Sequence, residues 1–380
     1  MKTLILKSSL FIGLVVLALN IYKATLPYYW GNSELSRKMS GLSISEDVNL
    51  VYFGPSAVNR EFIPSVFEEE LDSGGISAFN LGVGAMYYPE QDYLVRNFIE
   101  DQDMRSGIQY VLLFAQMPRP LNKHVHSVRV KYCIDWHNMS SGVRYFYHKN
   151  NFEQVVNYIM GYIENTLCVG EVFEMLMWRA GNFEIDQDNL EAKGYSSFEL
   201  ETHKEEKFNK RHKKFVRKQD GDEYMKSIHR KSQGGKGTKV GSDDQVVIDD
   251  QQYIDRMARQ KGIDFIGVYS PDFDFYLKLK GLNSIYLGDS EDYQAYLSIE
   301  NRMDRRHLNE EGAVIHTQRL ARKMDEFLSE SGSGPAKGRK IRKEKDNKEP
   351  SQERTNGKKG KKEKRNKKQK KQRQKKRRQK

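Results

Sequence analysis

The stretch VNLVYFGPS, residues 48–56, decides the fold. Its apolar run, Val48-Asn49-Leu50-Val51-Tyr52-Phe53, shows almost no polar alternation, as in a strand covered on both faces. It stops at Gly54-Pro55, a turn signal. Comparable runs recur at Ile76 to Leu81, at Tyr110-Val111-Leu112-Leu113-Phe114-Ala115, at Ile263 to Tyr269 and at Asn283 to Leu287. Apolar residues at helical spacing mark Gln91 to Glu100, Phe152 to Ile163, Val172 to Trp178, a helix running through Gln260, and Glu311 to Leu328. Strands alternating with helices predict an α/β fold, a doubly wound parallel sheet with helices on both faces.

A length of 380 residues allows two or three domains, or one α/β domain with insertions. The net charge of +12 is unevenly spread. Lys337–Lys380 holds 24 Lys/Arg against 5 Asp/Glu, a net of +19, which leaves −7 on the first 336 residues. This excludes a compact nucleic-acid-binding domain that is basic throughout. Two cysteines, Cys133 and Cys168, exclude a disulfide-rich scaffold and a cysteine-built zinc site. In an oxidising compartment the two could pair, which sequence does not decide.

Leu4 to Tyr22, LILKSSLFIGLVVLALNIY, has the length and apolarity of a bilayer-crossing helix, with Lys7 near its end. Lys2 and Lys7 precede the apolar centre and no small-x-small cleavage site follows, so a signal anchor is favoured over a cleaved signal peptide. Either reading puts the body outside the cytoplasm, as a single-pass membrane protein. The expected organisation is an anchor at 1–24, a linker at 25–47, an α/β domain at 48–330 with a charged insertion at about 185–250, and a disordered polybasic tail at 331–380. The tail has no large apolar residue except Ile341 and cannot bury enough surface to order itself. Its charge suits a polyanion: an acidic polymer, anionic lipid or nucleic acid.

Two segments carry candidate chemistry. Ser56 lies on the turn leaving the first strand, at the sheet edge where doubly wound folds place their sites. Asp304-Arg305-Arg306-His307 precedes the last helix. At a spacing of three, Asp304 can fix the tautomer of His307, whose other ring nitrogen can take a proton from Ser56. The backbone N–H groups of Ser56 and of the loop Asn80-Leu81-Gly82-Val83-Gly84 are candidate oxyanion donors.

The blocks Gly54-Pro55-Ser56, Asn80-Leu81-Gly82 and Asp304-Arg305-Arg306-His307-Leu308-Asn309-Glu310-Glu311-Gly312-Ala313 resemble those of the SGNH (GDSL-like) hydrolase superfamily, and most closely its membrane-anchored extracytoplasmic branch. The resemblance spans roughly Val48 to Leu328, apart from the insertion. It implies a flavodoxin-like three-layer fold, and Ser56 as nucleophile, His307 as base and Asp304 as its orienter. Ser56 N–H and Gly82 N–H would be oxyanion donors. Where the family carries an asparagine after strand three, this chain has Phe114-Ala115-Gln116-Met117-Pro118, and Gln116 is the amide available in its place. The implied function is a serine esterase or O-acyltransferase acting on an acyl ester, on a cell-surface polysaccharide or other polymer, with no cofactor. The alternative is a protein that keeps the fold but binds or helps assemble an anionic surface polymer with little or no turnover. A third reading makes the tail a nucleic-acid-binding arm.

Other signals are weaker. His124, His126, His137 and Asp135 lack a zinc-ligand spacing, and no metal is expected. Gly234-Gly235-Lys236-Gly237-Thr238 lacks phosphate-loop spacing and does not follow a strand. Gly288-Asp289-Ser290 follows a late strand rather than the first, so Ser290 is rejected as nucleophile. Asn138-Met139-Ser140 is a glycosylation sequon.

Overall fold

The structure is a computed structural model that describes residues 1–72, 74–101, 107–115, 128–181, 183–185, 187–197, 205–217, 242–269, 283–287, 298–304 and 307–331. Gln116, His124, His126, Gly234–Thr238, Gly288–Ser290 and the tail Lys337–Lys380 lie outside the described residues.

Five strands form one parallel sheet: β1 (Leu50–Gly54), β2 (Ala78–Gly82), β3 (Tyr110–Phe114), β4 (Asp264–Tyr269) and β5 (Ser284–Tyr286). Their order is β2-β1-β3-β4-β5, the arrangement of a doubly wound, flavodoxin-like sheet. Register is continuous across the centre, with Leu50 opposite Ala78 on one side and Tyr110 on the other. Every residue of β1, β2 and β3 is buried, which explains their uninterrupted apolar sequences.

Side-chain alternation divides the core in two. Val51, Phe53, Phe79, Leu81, Val111, Leu113 and Phe265 face one layer of helices. That layer contains α2 (Ser33–Ile44), α5 (Glu90–Glu100) and the later helix Ser242–Gln260. Leu50, Tyr52, Ala78, Leu112, Ile266 and Val268 face the other layer. This one is built from α3 (Ser56–Glu61), α4 (Pro64–Glu70) and the last helix, Glu310–Ser331.

The long crossover from β3 to β4 carries a helical annex: α6 (Val128–Lys131), α7 (Trp136–His148), α8 (Phe152–Thr166), α9 (Val172–Ala180), α10 (Gln187–Glu191) and α11 (Glu205–Arg217). The helices 242–260 and 310–331 are then α12 and α13. α1 (Lys2–Lys23) is the N-terminal apolar helix. It is long and apolar enough to span a membrane, and none of its hydrophobic window is buried.

Residues 25–47, expected as a linker, contain the packed helix α2. Within them Asn32 caps α2 by accepting from Leu35 N–H at 3.1 Å, and Leu35, Met39 and Leu42 enter the sheet core. Described parts of the stretch expected as an insertion, 185–250, also pack on the sheet domain. Lys193 C=O accepts from Asn80 N–H at 2.9 Å along the outer edge of β2, and Val246, Val247 and Ile248 of α12 are buried. Gly194 sits at φ +82, and a Cβ there would come within 2.4 Å of Asn80 O, so this edge cover requires glycine.

The sequon is also structural. Asn138 is fully buried, and its amide donates to Pro89 O at 2.9 Å and Cys133 O at 2.8 Å. Both cysteines are free thiols.

Met39→Ala tests the place of α2 in the core. Removing a fully buried methionine from a packed site costs about 2–5 kcal/mol. A clear fall in the thermal unfolding midpoint is expected, whereas an unchanged midpoint would return residues 25–47 to the status of a linker.

Candidate active site

Ser56 is the first residue of α3, immediately beyond β1 and facing the gap where the chain path reverses between β1 and β3. Its Oγ lies 2.8 Å from His307 Nε2. On the other side of the ring, His307 Nδ1 is 3.0 Å from Asp304 Oδ1, and the same oxygen accepts the His307 backbone N–H at 3.0 Å. A carboxylate only accepts, so Asp304 holds the proton on Nδ1. The lone pair is then on Nε2, and Ser56 Oγ–H donates to it. Asp304 is 8% exposed, so the pair with His307 is largely shielded from water. The structure thus brings together Ser56, Asp304 and His307, from opposite ends of the chain.

Local chemistry explains how. Arg302 and Leu308 form an antiparallel bridge that closes the Asp304–His307 turn, and Met303 N–H donates to His307 O at 3.0 Å. Asn309 then caps α13, accepting from Gly312 N–H at 2.9 Å. The turn is docked onto α3: Leu308 N–H donates to Glu61 Oε1 at 3.2 Å, and Thr317 Oγ1 donates to Glu61 O at 2.9 Å. One six-residue helix therefore carries the serine at its start and the anchor of the histidine turn at its end. On the far side of the turn, His212 of α11 donates from Nδ1 to Met303 O at 3.1 Å.

Gly82 ends β2 against the start of α3. A Cβ there would lie 2.3 Å from Asn59 N, so only glycine permits this approach. Its N–H, however, donates to Asn80 Oδ1 at 2.8 Å. The N–H expected as an oxyanion donor is thus engaged by the Asn80 side chain. Asn80 also donates to Val58 O at 2.8 Å and Phe62 O at 2.7 Å, so it is a brace between β2 and α3. Ser56 N–H meets no acceptor among the described residues.

Lys38 carries no signal in residue type or spacing. From α2 its Nζ donates to Asn59 Oδ1 at 2.7 Å, Asn80 O at 3.2 Å and Gly82 O at 2.6 Å. Asn59 donates to Glu34 Oε1 at 2.9 Å, and Glu34 Oε2 accepts from Gly84 N–H at 3.3 Å. Three acceptors match the three protons of an ammonium. Burial pushes its pKa down to about 7, with the Glu34 carboxylate opposing and Arg60 adding to the fall. A lysine in a polar stretch is ordinarily a surface residue.

A second polar cluster joins α5, α7 and α12. Arg96 bridges Asp92 and Asp135 at 2.9 Å each, and Ser141 donates to Asp250 Oδ1 at 2.6 Å. Burial raises Asp92 to about 6, opposed by Arg96 and reinforced by Asp250. Beside it Gln91, Asp92, Asp250 and Gln251 line a cavity of about 30 Å³, room for water. His137 stacks on Tyr253 at 4.8 Å. Among the described residues no group of His, Cys, Asp and Glu is placed to hold a metal.

Fold and site together define a doubly wound α/β protein with a Ser–His–Asp arrangement at the carboxyl edge of its sheet. No family model matches the chain, and neither a curated protein nor a solved structure matches it.

The Lys38 amine makes stability depend on alkaline pH. Its folded pKa lies below the ordinary 10.5, so between about 7 and 10 the unfolded chain holds a proton that the folded one has released. Stability therefore rises with pH across that window, by at most about 1.4 kcal/mol per pH unit. Denaturant unfolding in detergent from pH 7.5 to 9.5 is expected to give a steeper rise for the native chain than for Lys38→Met. Equal slopes would mean that Lys38 stays charged.

Proposed function

We propose that this protein is a membrane-anchored serine esterase or O-acyltransferase of the SGNH-like kind, acting on an acyl ester of a cell-surface polysaccharide or related polymer. The hydrogen-bonded line from Ser56 Oγ through His307 to Asp304 carries this reading. In it, His307 Nε2 takes the proton of Ser56 Oγ–H as the oxygen attacks the ester carbonyl. The same nitrogen then returns the proton to the leaving alcohol, giving an acyl-serine. Asp304 keeps the ring oriented and stabilises the imidazolium. Water or a second hydroxyl resolves the acyl-serine, which makes the outcome hydrolysis or transfer. Ser56 N–H is the backbone donor available to the oxyanion, and Gln116 is proposed as a side-chain donor.

In this reading α1 is an uncleaved single-pass anchor with the body on the extracytoplasmic side. The segment Lys337–Lys380, with its net of +19, is a disordered arm that holds acidic polymer or anionic lipid. The commitment of Gly82 N–H to Asn80 favours a second reading, in which the fold binds or helps assemble an anionic polymer with little turnover.

A fluorophosphonate probe applied to the full chain in detergent distinguishes the two. An adduct mapped to Ser56 by mass spectrometry is expected, lost in Ser56→Ala and slowed by about 10³-fold or more in His307→Ala and Asp304→Asn, with unfolding midpoints preserved. Equal labelling of all four proteins would sink the Ser–His–Asp assignment, and no adduct on a folded chain would favour the binding reading.

A further inference from the structure

The annex exposes an apolar face that the core does not use. On α8, Phe152, Val156, Met160 and Ile163 fall on one side of the helix at spacings of four, four and three, and all are exposed. The opposite side of α8 buries Tyr158 and Gly161. On α9, Phe173 is 69% and Met177 54% exposed, while Met175 turns inward to pack with Trp30 and Tyr132. Soluble surfaces seldom expose large apolar side chains in so continuous a row.

The end of α1 is fastened to the corner between these two helices. Asn20 Nδ2 donates to Thr166 O at 2.9 Å. Lys23 Nζ bonds Asn165 and, at 2.6 Å, the buried Glu171 carboxylate. Leu19 and Tyr22 pack against the cluster that includes Met175 and Cys168. If α1 crosses a bilayer, its last turn leaves the hydrocarbon at this corner, so the corner must stand at headgroup depth. Ile163, one turn before Thr166, and Phe173, two residues after Glu171, are exposed apolar residues close to this corner along the chain, and Trp136 is 67% exposed and packs on Tyr162.

We propose that the exposed face of α8 and α9 is a membrane-docking surface that sits in the headgroup and upper acyl region of the lipid bilayer, beside the point where α1 enters it. The occupant is lipid. This inference rests on the anchor reading of α1 and is independent of the serine chemistry. An amphipathic face of this kind lies in the plane of the interface rather than across the membrane. The body is then held at two places, a helix through the bilayer and a helical face upon it.

The test is spin labelling of the full chain in vesicles of phosphatidylethanolamine and phosphatidylglycerol. Single nitroxides are placed through Met160→Cys and Phe173→Cys, with Phe11→Cys as a reference inside α1 and Glu69→Cys as a charged-surface reference. Cys133 and Cys168 are buried, and unsubstituted protein gives their labelling background. Collision with oxygen and with a water-soluble nickel chelate is measured at each position. At 160 and 173 the oxygen-to-nickel ratio is expected to be several-fold above that at 69 and to approach that at 11. A water-like ratio at 160 and 173 with a lipid-like ratio at 11 overturns the docking face and leaves the anchor intact. A water-like ratio at 11 overturns the anchor, and the docking face with it. Shielding of 160 and 173 from both reagents would mean that protein, from this chain or a second copy, covers the face, and would also overturn the proposal.

Discussion

A parallel sheet has to be covered on both faces, and β1 lies inside it with a parallel neighbour on each side. Most of the architecture follows from that requirement. Val51 and Phe53 call for a helical layer on one face, and Leu50 and Tyr52 call for one on the other. The chain therefore leaves β1 toward one layer and returns toward the other after β2. The strand ends separate where the path reverses, and Ser56 stands at that opening.

The polar framework is subordinate to the sheet but sets the geometry of the opening. α3 is too short to be stable alone. It is held by Asn80 from β2, by Thr317 from α13 and by the Leu308 amide bound to Glu61. Lys38 ties α2 to the same junction through two backbone carbonyls and Asn59. A serine, a histidine turn and a glycine strand end are thus fixed relative to one another by bonds made outside the Ser–His–Asp line. The bond from Gly82 N–H to Asn80 belongs to this bracing, which explains why a glycine required for close packing need not aim its N–H at a ligand.

β1 was legible because an apolar run ending in Gly-Pro has few other structural uses, and the other strands because short apolar runs recur at βαβ spacing. Ser56, Asp304 and His307 were legible because their side-chain types and their positions relative to the first strand and last helix agree. α2 was not legible: Asn32 precedes it and Ser36 and Lys38 interrupt its apolar residues, yet all three are buried and bonded within the fold. The segment 193–197 was missed because it holds the edge of β2 through backbone groups, which leave little trace in residue type. The brace formed by Asn80 was hidden in a stretch that reads equally well as a turn. In each case a buried polar partnership overrode a local pattern that pointed to the surface.

The burial of Asn138 bears on how the chain can be made. The acceptor triplet is open while the polypeptide is still extended, but α7 can dock only if the Asn138 amide reaches Pro89 O and Cys133 O. A sugar attached during synthesis occupies that nitrogen and cannot be accommodated in the closed annex. Production in a secretory system that modifies such triplets as the chain emerges therefore sets folding of α7 against a covalent modification, and the chain that is glycosylated first is excluded from its native packing.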